Sequence, residues 1–164
     1  MPLRNPADLA ERLPVRAPLI GLDLGTKTIG VAATNPERTL ASARETIRRT
    51  KLKADLERLL ALVDAEGAIA IVLGLPLNMD GSEGPRCQAV RQFATDLLKL
   101  RDLDVVLWDE RLSTVAVTRT MLDADVSRAR RAEAVDKLAA AYILEGFIDW
   151  LKADWLRARS TPGP

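Results

Sequence analysis

The chain has 164 residues, 48% of them hydrophobic and 29% charged, with 24 basic against 23 acidic side chains and a formal net charge of +1. That balance fits one globular domain with a real core and excludes disordered and fibrous classes; near-neutrality gives no global attraction to nucleic acid, which would have to come from local basic patches. Histidine is absent and Cys87 is the single cysteine, which excludes Ser-His-Asp and Cys-His catalysis, histidine zinc sites, disulfide frameworks and thiolate metal clusters.

Residues 1–18 are punctuated by proline, carry a short candidate helix around Ala7 to Leu13, and read as a surface arm. Arg4, Asp8, Glu11 and Arg12 stand where a secretory signal would be apolar, and no apolar run approaches the roughly 18 residues of a membrane span. The expected location is cytoplasmic, with no membrane partner. LIGLDLGTKTIGVAA then supplies two strands, 19–24 and 29–34, with Gly25 and Gly30 suiting a tight turn and Thr26 and Lys27 at its tip. Asn35-Pro36 breaks the chain, and Thr39 to Ile47 reads as a third strand. Leu52, Leu56, Leu59, Leu60 and Val63 recur at helical spacing, with Gly67 as the C-terminal stop.

Ile69 to Gly74 is a continuous apolar run, the pattern of a strand covered on both faces. LNMDGSEGP forms a loop, a helix follows from about Pro85 with Val90, Phe93, Ala94, Leu97 and Leu98 as its stripe, and Asp104 to Asp109 makes the fifth strand. A helix near Ser113 to Leu122, a charged loop DADVSRARRAE and a long helix from Glu133 to about Lys152 complete the α/β pattern. Three strands followed by helix, strand, helix, strand and helix imply a mixed sheet with helices on both faces, its ligand site at the carboxyl ends of the central strands. The domain is expected over 19–152, with 153–164 as a C-terminal tail.

Asp23 is the residue to explain, because a carboxylate inside an apolar strand needs a cation, a donor cluster or an exposed strand end. Asp109 and Glu110 end the fifth strand, and alternation alone does not choose between them. Asp136 sits on the shoulder of the last helix's buried stripe, formed by Val135, Leu138, Ala139, Tyr142, Ile143, Gly146, Phe147 and Trp150; an acid there also suits the first helical turn. Acids gathered at one sheet edge repel unless a cation is shared, and oxygen-only ligation suits Mg²⁺ or Mn²⁺. Arg111 is placed to pair with either neighbouring acid, and Ser113 and Thr114 to cap the following helix. Arg48, Arg49, Lys51 and Lys53 form one basic cluster and Arg128, Arg130 and Arg131 another. Each reads as solvated charge or as neutralisation of a polyanionic backbone. Trp108, Trp150 and Trp155 look like core or helix-packing residues.

GLDLGTKTIGVA at 21–32, VLGLPLNMDGSEGPR at 72–86, WDERLST at 108–114 and VDKLAAAYIL at 135–144 together resemble the YqgF (RuvX) family of nucleases, relatives of the RuvC resolvase with an RNase H-like fold. The resemblance implies a five-stranded sheet in the order 3-2-1-4-5, with strand 2 antiparallel, and a site of Asp23, Glu110 and Asp136. That site would hold two divalent ions, Mg²⁺ or Mn²⁺, for attack on a phosphodiester. Thr26 and Lys27 would meet the phosphate. The implied substrate is structured RNA, the pre-16S rRNA at its 5′ end, on or near ribosomal particles. Holliday-junction DNA is the alternative, and a non-catalytic ribosome-assembly factor a third reading. A junction resolvase requires a homodimer with two sites, whereas RNA processing suits a monomer. Asp-x-Gly-Thr also resembles the phosphate loop of actin-like and sugar-kinase ATPases, which need two such domains.

Overall fold

The computed structural model describes residues 3–112 and 128–160, with side chains described over 3–112 and 137–153. In chain order its elements are β1 (Leu3–Arg4), α1 (Pro6–Arg12), β2 (Leu19–Leu24), β3 (Thr28–Thr34), β4 (Ala41–Arg48), α2 (Leu52–Glu66), β5 (Ala70–Leu75), α3 (Pro85–Leu100), β6 (Asp104–Asp109) and α4 (Arg128–Ser160). The sheet runs β1-β6-β5-β2-β3-β4. β3 is antiparallel to both neighbours, and all other pairings are parallel.

The predicted five strands and their order hold, but the sheet has six. Leu3 and Arg4 pair with Val105 and Val106 along the outer edge of β6, and the helix that follows buries Leu9 completely. A two-residue strand is too short to show alternation, so the N-terminal segment looked like a free arm. Asn5 caps α1 through its side chain, and Pro6 occupies the first helical position, both ordinary helix-start chemistry.

Three boundaries also move. β4 begins at Ala41 because the Asn35 side-chain oxygen accepts the Thr39 and Leu40 amides and holds them in the turn. β3 begins one residue earlier than expected, at Thr28, so that Gly30 lies well inside it opposite Asp23 and not in the turn. The charged stretch from Arg128 is already helical, and α4 continues through the expected tail to Ser160, since Arg, Ala, Glu and Leu favour helix and no proline interrupts them. The helix expected near Ser113 to Leu122 falls outside the described residues. Gly67 ends α2 as expected, in the left-handed conformation at φ 67° with its amide on the Val63 and Asp64 carbonyls.

Strand alternation sorts the core into two layers. On one face Ile20, Leu22, Ile29, Val31, Ile71, Leu73 and Val105 pack against α2 and α3, which contribute Leu56, Leu59, Val63, Val90, Phe93 and Leu97. On the other, Leu19, Ala32, Ala70, Val72, Val106 and Trp108 meet Ala139, Ala140, Ile143, Leu144 and Phe147 of α4. Trp108, Phe147 and Trp150 close that layer at one side, with the Trp108 and Phe147 rings edge to face at 5.4 Å. Trp108 and Trp150 are therefore packing residues, as their spacing suggested.

The second layer is thin where it meets β2 and β5. A side-chain carbon on Gly21 would lie 2.9 Å from the Ala140 carbonyl oxygen and 3.0 Å from Leu144 Cβ. Glycine in mid-strand, which weakens a strand, is here the condition for α4 to press against the sheet.

Candidate active site

The carboxyl ends of β2, β5 and β6 lie side by side, and the register fixes what stands there. Leu22 is level with Leu73, and Gly74 with Trp108, so Asp23 continues the β2 row beside Gly74. Its side chain is 1% exposed, with Oδ1 wholly out of solvent. By alternation Asp23 shares the face of Leu19 and Gly21, the face covered by α4.

Asp109 and Glu110 leave the sheet on opposite faces. Asp109 follows Val105 and Leu107 onto the α2/α3 face, whereas Glu110 follows Val106 and Trp108 onto the α4 face. Glu110 lies in a short 3-10 turn, Glu110–Leu112, and its side chain folds back over β5. A Cβ on Gly74 would stand 2.7 Å from Glu110 Oε1 and 3.2 Å from Glu110 Cγ. One face of the sheet end therefore carries two carboxylates from the strands on either side of β5, Asp23 deep and Glu110 laid over Gly74.

Asp109 is occupied otherwise. It accepts the Arg111 amide at 2.9 Å and holds the guanidinium through Nη2 at 2.7 Å. That pairing lowers the Asp109 pKa below the ordinary carboxylate range, chiefly through the side-chain hydrogen bond from Arg111. Arg111 Nη1 also donates to the Met79 carbonyl at 3.2 Å, and the guanidinium lies against Gly81. Gly81 turns the loop at φ 87°, and Asn78 and Ser82 close it with backbone and side-chain hydrogen bonds. Arg111, open between two acids in the sequence, thus pairs with Asp109 and ties the β5–α3 loop to the end of β6.

Around the β2–β3 turn the charges are positive. Thr26 and Lys27 are exposed at its tip. Arg49 donates its amide to the Lys27 carbonyl at 2.8 Å and Nη1 to the Gly25 carbonyl at 2.9 Å. Arg86, in the first turn of α3, donates Nη2 to the Leu24 carbonyl at 3.4 Å. Two arginines from separate elements thereby converge on the backbone that follows Asp23. Arg49 was among the candidate residues; Arg86 was not, although it closes the 72–86 motif, because a lone arginine after Gly-Pro has no periodicity to mark it. Arg48 at the end of β4, Lys51 at the N-cap of α2 and Lys53 in its first turn are exposed.

Arg128, Arg130, Arg131 and Asp136 belong to the first part of α4; their side chains are outside the described residues. Asp136 lies three and four positions before Ala139 and Ala140, at the spacing that keeps residues on one helical face. Among the described side chains no group of three or more potential metal ligands is assembled. Asp23 and Glu110 are the two acids that the described structure brings to one face. No helix among the described residues is long and apolar enough to cross a membrane.

Comparison with known proteins agrees with the fold. The chain is 59% identical over 149 residues to a protein of Paramagnetospirillum magneticum named "Putative pre-16S rRNA nuclease", covering 91% of this chain and 96% of that one. It is 57% identical to a protein of the same name from Rhodospirillum rubrum, covering 92% and 94%. A solved structure of T. thermophilus RuvC in complex with a Holliday junction substrate superposes with a TM-score of 0.53 at 12% identity, over 88% of this chain and 98% of that one; at this identity the likeness speaks for the fold alone. The RuvX family model, described as Holliday junction resolvase, matches residues 17–150. With β2 to β6 and the first two thirds of α4 inside that span, the chain belongs to the RuvX family.

Proposed function

We infer that the protein is a metal-dependent nuclease that hydrolyses phosphodiester bonds of structured RNA, in maturation of the 5′ end of pre-16S rRNA in the cytoplasm. The observation that carries this reading is the pair of carboxylates on the α4 face, with Asp23 1% exposed and Glu110 folded over Gly74. Two like charges held on one face at the sheet end, on either side of β5, favour a shared cation. The relatives named as pre-16S rRNA nucleases support the substrate.

Asp23, Glu110 and Asp136 would hold Mg²⁺ or Mn²⁺, two ions in all, their chemistry suiting hard oxygen-preferring cations. Bound there, the metal would supply charge neutralisation at the phosphate and a water made nucleophilic near neutral pH. The chain's own residues do the rest. Lys27 and Thr26 at the turn tip, with Arg49 and Arg86 behind them, present cations and a hydroxyl to the phosphates flanking the cut. Arg48 and Lys51 extend that row, and Arg128, Arg130 and Arg131 would meet the backbone from the α4 side. Arg111, already matched by Asp109, contributes least to phosphate binding and orders the loop beside the site. Without histidine, proton transfer falls to water and carboxylates.

The family's description as a Holliday junction resolvase favours branched DNA as the second reading. One experiment separates them. Purified protein with Mg²⁺ or Mn²⁺ is offered precursor rRNA, free or in ribosomal particles, and a four-way DNA junction, while its mass in solution is measured. Cutting of the RNA by a monomer supports the proposal. Symmetric cutting of the junction by a dimer replaces it with the second reading, and no cutting of either, with intact binding to ribosomal particles, indicates an assembly factor.

A further inference from the structure

We propose that Gly74 is a positioning residue for the acidic site, because the space its missing side chain leaves is the space in which the Glu110 carboxylate rests. This rests on the metal-site reading above and adds a residue that is neither acidic nor basic. A Cβ at position 74 would stand 2.5 Å from Ile143 Cδ1 and 2.7 Å from Glu110 Oε1, both well inside van der Waals contact. Position 74 is thus bounded on one side by the helix that covers the site and on the other by one of its acids.

The two neighbours differ in what they can do. Ile143 is completely buried in α4 and packed in the layer with Leu144 and Phe147, so its movement requires the helix to shift. Glu110 is only half-buried, on a three-residue turn at the mouth of the sheet. A methyl group at position 74 would therefore expel the Glu110 carboxylate toward solvent before it displaced the helix. Asp23, enclosed in its own strand, would stay in place, and the pair would separate. The sequence offers a reason for the glycine as well: in Ala70–Leu75 every other residue is aliphatic, and glycine is the least favourable choice for a buried central strand.

The test isolates the clash with Glu110 from the clash with the helix. Ile143→Val removes Cδ1, so Gly74→Ala is made in that background, and Mn²⁺ binding is measured by titration calorimetry in four proteins: I143V, G74A/I143V, E110A/I143V and G74A/E110A/I143V. With Glu110 present, Gly74→Ala is expected to weaken Mn²⁺ binding by about tenfold or more, the usual loss when a ligand's support is removed. In the E110A background it is expected to change nothing further, since there is no carboxylate left to displace. Equal weakening in both backgrounds would assign Gly74 a general packing role and overturn the proposal, as would undiminished binding in G74A/I143V. Absence of Mn²⁺ binding in the I143V protein and in the unaltered protein would remove the metal site itself. A circular-dichroism melt of each protein verifies the folded state, and the two proteins lacking Glu110 keep the comparison decisive even if the methyl group lowers stability.

Discussion

The two faces of the sheet are built on opposite rules. Toward α2 and α3 the strands present Ile20, Leu22, Ile29, Ile71 and Leu73, large side chains that fill a wide interlayer space. Toward α4 they interleave Gly21, Ala32, Ala70 and Gly74 among Leu19, Val72, Val106 and Trp108, and α4 sets Ala139, Ala140 and Ala141, all buried, before Ile143, Leu144 and Phe147. The first face is a core in the ordinary sense. The second exchanges apolar volume for proximity, and it is where Asp23 and Glu110 lie. A thin layer lets backbone and short side chains come close to the strand ends, so that the acid of β2 is buried while the acid in the turn after β6 stays half-buried at the mouth.

The sharpest way to separate the faces is to remove chemistry without changing shape. Asp23→Asn keeps the volume and should retain the melting temperature while lowering RNA cleavage on the order of 10³-fold, the several kcal/mol that metal-assisted charge stabilisation supplies; cleavage at the unaltered rate would refute the assignment. Next come substitutions that change packing. Leu59→Ala, at a side chain buried completely in the α2 layer, should cost about 2–5 kcal/mol in denaturant unfolding and leave the rate per folded molecule unchanged. Gly21→Ala on the other face should cost about 1–3 kcal/mol from overpacking and also lower the rate, because α4 must lift from the Ala140 contact. Should the two variants affect rate alike, the distinction between the faces fails.

Smaller effects lie at the rim. Arg86→Ala should raise the KM for RNA several-fold with little change in kcat and shallow the salt dependence of binding by about one phosphate contact; a fall in kcat with KM constant would move Arg86 from binding to catalysis. The least effect concerns the opposite side of β6. Asp109 is held below its ordinary value of 3.8 by Arg111, so its pairing contributes stability above that value and loses it as pH falls through the lower folded-state value. Asp109→Asn should therefore be slightly less stable than the parent at pH 7, with the gap narrowing as pH falls below 3.8; a gap that does not narrow in acid would trace to something other than the pair.

Most of the sheet was legible because β2 to β6 run six to eight residues, largely apolar, between turn residues, and the β2–β3 hairpin carried its own turn. The edge strand at Leu3–Arg4 was not, since two residues define no period. At the site, the acid of β2 was legible by its incongruity, as a carboxylate within LIGLDL. The choice of Glu110 over Asp109 depended on which face α4 covers, a tertiary fact that alternation along β6 does not contain. The resemblance supplied that choice; the parity of Trp108 and Glu110 places Glu110 on the α4 face. Arg86 and Gly74 escaped for a shared cause. Each acts through a contact between elements distant in sequence, Arg86 with the end of β2 and Gly74 with the turn after β6 and with α4, and nothing in their local strings reports it.

The close seat of α4 on β2 has a consequence for the order in which the molecule forms. Gly21 and Ala140 touch across roughly 120 residues of intervening chain, and contacts of such separation form late because the loop between them must be closed first. During synthesis the hairpin, α2, β5, α3 and β6 all emerge before α4 and can assemble the thick layer among themselves. The face that carries Asp23 would remain uncovered through that interval, until the covering helix docks.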